Sequence, residues 1–150
     1  MTLYANTAKG EPWARRGGAN AAGFPQYTVW ENTFDAAERN LAEDDGVDPL
    51  IVIPANTLVQ GVFVEVLTPE ASTTIDVGDT TDPNGFVAAQ SGAVAGMFAG
   101  GGAYIAADTD TTALQIPKLY TADTDLQAVV AGAAATVLRF RVVVVGVNLG

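Results

Sequence analysis

Apolar and polar residues alternate along this chain in short runs cut by proline and glycine, and no long stripe of helical period interrupts them. The densest stretch covers residues 48–86. It opens with Asp48-Pro49 and the apolar run Leu50-Ile51-Val52-Ile53, breaks at Pro54-Ala55-Asn56, continues through a long run at 57–68, and closes with 73–86. Pro49, Pro54, Pro69 and Pro83 stand where strands are expected to begin or end. In the long run, Leu58, Val62, Val64 and Val66 are expected on one face and Val59, Phe63 and Leu67 on the other. A strand that is apolar on both sides is covered on both, as in the centre of a sandwich or of an oligomer.

The same alternation predicts strands at 27–34, 104–107, 111–116, 125–131 and 136–147. Residues 35–48 are acidic and read as a solvated surface segment. Phe34, Ala37 and Leu41 would also permit one short helix ending at Gly46. Residues 91–102 are rich in small side chains without period and read as a long loop. In the last strand, Leu138, Phe140, Val142 and Val144 share one face, and Val137, Arg139, Arg141, Val143 and Val145 the other. That second face turns from basic to apolar, so Val143 and Val145 are expected under another strand, the N-terminal arm or another subunit. Eight or nine short strands with turn signals between them predict an all-β fold: a single β-sandwich or jelly-roll-like domain over 27–150. Residues 1–26 mix Gly and Pro with scattered apolar residues and read as an extended N-terminal arm. If the arm docks on a neighbour, Trp13 and Phe24 are its anchors, and Arg15 and Arg16 pair with acidic surface.

Composition narrows the function. At 150 residues the chain can bury roughly 70% of its unfolded surface and hold a core unaided. It has no Cys and no His, which removes disulfides, thiolate chemistry and the commonest general base and metal ligand. A net charge of −10 argues against binding nucleic acid, which rests on clustered Lys and Arg. No apolar run approaches the ~18 residues of a membrane span, and no apolar block follows the N-terminal positive charges. A soluble protein without its own secretion signal, with no membrane partner and no cofactor, is expected.

Candidate chemistry is sparse. The Asp76-Val77-Gly78-Asp79-Thr80-Thr81-Asp82-Pro83-Asn84-Gly85 segment crowds carboxylates as a calcium loop does, but it lacks EF-hand spacing, and Asp, Asn and Gly are also what β-turns require. We read it as a turn, with no metal. Asp108, Asp110, Asp123 and Asp125 read as strand-end residues bonding to nearby backbone. Paired carboxylates are the remaining acid–base option, and nothing brings two specific ones together, so an enzyme is not expected. Trp30, Tyr104 and Tyr120 would serve an alternative function, that of a host-surface or carbohydrate-binding β-sandwich module.

The run Ile53-Pro54-Ala55-Asn56-Thr57-Leu58-Val59 leading into Val62-Phe63-Val64-Glu65-Val66, followed by Thr74-Ile75-Asp76-Val77-Gly78-Asp79, Asp82-Pro83-Asn84-Gly85-Phe86, a late Tyr strand and a closing Val-rich strand, resembles small virion structural proteins of tailed bacteriophages. The resemblance runs from residue 49 to 147 and leaves out the arm. It implies a β-sandwich decoration or cement protein, commonly a homotrimer, that binds the major capsid protein on the outer surface of the assembled head and stabilises the lattice. On that expectation the subunit or lattice contacts are Trp13, Arg15, Arg16, Phe24, Val143 and Val145.

Overall fold

The computed structural model describes residues 3–4, 13–16, 26–99 and 116–150. Within them the period-two segments form eleven strands in two sheets, with no helix. Sheet A runs in the order β1 (Leu3–Tyr4), β4 (Asp45–Ile53), β10 (Thr124–Ala131), β6 (Thr74–Asp79) and β7 (Val87–Ser91). Sheet B runs β2 (Trp13–Arg16), β3 (Gln26–Asp35), β11 (Arg139–Asn148), β5 (Thr57–Thr68) and β8 (Gly96–Ala99). On sheet B, β9 (Lys118–Tyr120) shares the outer edge of β5 with β8. All pairings are antiparallel except that of β1 with β4. The fold is therefore all-β, with two sheets enclosing one core.

Alternation sets which side chains fill that core. On β3 the inward set is Thr28, Trp30, Asn32 and Phe34, and on β11 it is Phe140, Val142 and Val144. The apolar members of these sets meet Val47, Ile51 and Ile53 of β4, Leu126, Ala128 and Val130 of β10, and Ile75 and Val77 of β6 within one hydrophobic cluster. The rings of Phe34 and Phe140 lie 5.5 Å apart. Gly146 allows a close approach here: a Cβ on it would come within 2.9 Å of the Leu58 carbonyl oxygen and 3.1 Å of the Trp30 ring.

Two bulges change the expected pattern. On β5, Val145 pairs with Gly61 and Gly146 with Val59, so Gln60 is an extra residue. The side-chain phase flips there. Val59 points inward with Val62, Val64 and Val66, all buried, whereas the sequence placed Val59 on the other face and Leu58 with the Val set. Phe63 and Leu67 remain on the outer face as expected. On β4, Leu126 pairs with Ile51 and Ala128 with Val47, so residues 48–50 lie opposite Gln127 alone. Pro49 thus sits inside a strand rather than at its start, behind a cis Asp48–Pro49 bond. The bulge makes room for a proline in an interior strand by taking it off the ladder.

Three further expectations change. The possible helix ending at Gly46 is absent: β3 runs to Asp35, a turn follows, and Leu41 bridges Ala135 by backbone bonds of 3.0 and 2.8 Å. The long loop at 91–102 contains β8, whose Met97 and Phe98 pair with Glu65 and Val64. Asp123 is not a local cap, because it accepts a hydrogen bond from the amide of Ala55, 68 residues away, at 2.8 Å. The predicted strand at 104–107 and nearly all of that at 111–116 lie outside the described residues.

Candidate functional site

Three arrangements carry most of the polar chemistry of the described residues, and two of them serve the fold. In the first, the carboxylate of Asp79 at the end of β6 accepts hydrogen bonds from the amides of Thr81 and Asp82 at 2.9 and 3.0 Å. From sheet B it receives Lys118 Nζ and the Tyr120 hydroxyl, each at 2.7 Å. Burial pulls the Asp79 carboxyl up, but Lys118, Tyr120 and the two amides outweigh it and hold the group below its usual range. Burial and then the neighbouring Asp79 push the Tyr120 hydroxyl up, so it stays a donor. The edge-on ring of Phe86 packs on Tyr120, with Lys118 Nζ 5.8 Å from its centroid. This cluster stitches the two sheets together at one end of the sandwich, and both Asp79 oxygens are engaged within the chain.

In the second arrangement, Glu70 follows β5 and clamps the connection between β10 and β11. Its carboxylate accepts from the amides of Thr136, Val137 and Leu138 at 2.9, 3.1 and 2.9 Å, and from the Thr136 hydroxyl at 2.8 Å. Successive amides converging on one anion form a nest. Desolvation raises the Glu70 carboxyl, and these hydrogen bonds more than reverse it, so the group is held below its usual range.

The third arrangement is the outward face of sheet B. Register brings Val29, Val145 and Gly61 into one row, Glu31, Val143 and Phe63 into the next, and Thr33, Arg141 and Glu65 into a third. Val143, Val145, Leu58 and Phe63 are half-buried, and Tyr27, Leu67, Met97 and Leu119 are exposed, Tyr27 at 66%. Arg141 pairs with both Glu65 and Glu31, and Arg139 with Asp35, so the charged end of this face is internally balanced. What remains is an apolar surface spanning β3, β11, β5 and β9, of the kind that marks an interaction site.

The expected contact residues distribute as follows. Val143 and Val145 lie in the middle of that face. Trp13, Arg15 and Arg16 belong to β2, in register with Glu31, Val29 and Thr28, so this part of the arm is the edge strand of the same sheet. Phe24 and Tyr104 lie outside the described residues. Trp30 and Tyr120 are 2% and 7% exposed, which takes them out of any sugar-stacking platform. The sequence missed Lys118 as the partner of Asp79 and Glu70 as a clamp, because both act across sheets or turns that no local pattern links. Among the described residues no group of three or more Asp or Glu side chains is placed to hold a metal ion.

Charge is divided between the sheets. The strands of sheet A contain five aspartates and no basic residue, whereas those of sheet B contain five basic residues against three acidic ones.

The same fold occurs in phage capsids. A chain from the capsid of Ralstonia phage GP4 superposes with a TM-score of 0.59 at 19% identity, over 98% of both chains. A chain from the capsid asymmetric unit of cyanophage Pam1 gives a TM-score of 0.56 at 18% identity, covering 94% of this chain and 98% of that one. A chain from the acid-stable capsid of Helicobacter pylori bacteriophage KHP30 gives 0.58 at 16% identity, covering 83% and 89%. No family model matches the sequence, and no curated protein does. Coverage of 98% in both directions means that the likeness extends along nearly the whole of both chains.

Proposed function

We propose that this protein is a structural component of a phage head, a decoration or cement protein that binds the outer surface of the assembled lattice and stabilises it. The observation that carries this reading is the fold shared, along nearly the whole length of both chains, with chains of phage capsids. The apolar outward face of sheet B supplies the contact. Apolar burial contributes about 25 cal/mol per Å2, and modest contacts repeated by symmetry add up in an assembly. A protein that binds the lattice only once it is assembled stabilises it by mass action. Self-association as a homotrimer and docking on the major capsid protein share the half-buried Val143, Val145 and Phe63. A net charge of −10 suits the outside of the shell, away from packaged DNA. The role is structural, without turnover.

The test is to add the purified chain to heads that lack it and to image the particle. We expect density at symmetric positions on the outer surface and heads that survive higher temperature. Val143→Glu combined with Phe63→Glu should leave the circular dichroism spectrum unchanged and reduce head binding at least tenfold. A strictly monomeric protein at micromolar concentration that also fails to bind heads would overturn the proposal.

A further inference from the structure

We infer that the outer face of sheet A binds a divalent cation of the calcium type, held by the carboxylates of Asp48 and Asp125 and the side-chain carbonyl of Gln127. On β10, Leu126, Ala128 and Val130 point into the core, so Asp125, Gln127 and Val129 point away from it. Gln127 lies opposite the bulge of residues 48–50, which brings Asp48 beside it, and on its other side it is in register with Gly78. The chain after β6 folds back over Gly78 so closely that a Cβ there would sit 2.0 Å from the Asp82 carbonyl oxygen and 2.7 Å from that of Pro83. This roof lies next to Gln127, which is only 1% exposed although it points away from the core.

Along this part of the sheet two oxygens lack a donor. Asp48 Oδ1 and Gln127 Oε1 are both buried and accept no hydrogen bond. The charge that bears on Asp48 is Asp125, which repels it. Among the described residues, Lys118 is engaged on Asp79, Arg139 on Asp35 and Arg141 on Glu31 and Glu65, and Arg39 is not free either. Buried acceptors without donors, next to a second carboxylate, call for an electropositive partner. Calcium takes carboxylate, amide-carbonyl and water oxygens in flexible geometry, and the exposed side of Asp125 leaves room for the waters. The Asp-rich turn at 76–85 is thus the cover of the site and not its ligand loop, since Asp79 is already occupied. This inference stands independently of the capsid reading.

The full-length protein, freed of metal at pH 7.5, is melted with EDTA and with CaCl2 at matched ionic strength, and titrated with CaCl2 by calorimetry. We expect one site, and a melting temperature raised by roughly 5–10 °C when calcium is about 100 times Kd. Asp48→Asn and Asp125→Asn should each abolish the heat and the shift. In EDTA, Asp48→Asn should melt no lower than the wild type, because its amide can donate to Gln127. Absence of binding heat, or a shift that persists in both variants, overturns the inference. So does a wild-type melting temperature that rises from pH 8 to pH 5 regardless of calcium, which would make the missing partner a proton. If Asp48→Asn does not fold, the exposed Asp125→Asn decides alone.

Discussion

Asn32 occupies a core position on β3, between Trp30 and Phe34, where alternation alone asks for an apolar side chain. It is 6% exposed, and its amide donates to the Leu50 carbonyl at 2.7 Å. Leu50 lies in the β4 bulge, where a backbone carbonyl is released from the ladder. The side chain from one sheet therefore satisfies the backbone of the other. Replacing Asn32 with Leu fills the space but leaves that carbonyl buried without a donor. We expect a loss of about 1–3 kcal/mol, read as a lower urea midpoint with an unchanged slope. Alternation over 27–34 sets Asn32 on the face of Thr28 and Trp30 without marking that face as the inner one, and nothing near it in the chain marks Leu50 as its partner. Trp30 was legible in the same limited way: its face followed from the period, and its burial decided between core packing and a binding platform.

Strands whose alternation runs unbroken, β3, β10 and β11, were readable to within three residues of their ends. On the bulged strands the ends and the faces part company: β5 spans the expected 57–68, whereas β4 begins at Asp45 and not at Leu50. One extra residue at Gln60 inverts the faces of half of β5, and hydropathy alone carries no mark of where the inversion falls. β8 escaped because Gly96, Met97, Phe98 and Ala99 include no β-branched residue. It becomes a strand by completing the edge of β5. Connections between elements hold their own chemistry, and Glu70 is the clearest case. Its folded pKa lies below the unfolded value of about 4.3, so its stabilisation is complete above that pH and is lost as pH falls through the folded value. Asp79, also held low, adds to the same acid limb. Glu70→Gln keeps one neutral acceptor and loses the charge. We expect it to lower stability by about 1 kcal/mol at pH 7, screening by solvent included, and to converge with the wild type near pH 2. Denaturant titrations across that range measure both limits.

For the molecule as a whole, the arm contributes the outermost strand on one side of each sheet: β1 beside β4, and β2 beside β3. Removing residues 1–25 stops short of β3 and leaves every strand of the core in place. The truncated protein should keep its spectrum and melt within a few degrees of the wild type. Its β3 and β4 edges would then be open to pairing with other chains. We expect weaker binding to heads and a greater tendency to aggregate, measured by sedimentation with and without heads. Binding equal to that of the full chain would exclude the arm from the contact.

The division of charge between the sheets has a mechanical consequence. The strands of sheet A carry five aspartates, while Lys118, Arg139 and Arg141 on sheet B balance Glu31, Asp35 and Glu65, so across a separation of about 10 Å the strand charges form an electric dipole normal to the sheets. In the field of a charged surface such a body feels a torque before it feels a contact. An acidic surface turns sheet B toward itself, so the apolar rows of Val143 and Val145 arrive first. A basic surface turns it the other way. That alignment is lost beyond a Debye length of about 8 Å at physiological salt, so it shortens the final search for the correct orientation without drawing the molecule in from afar.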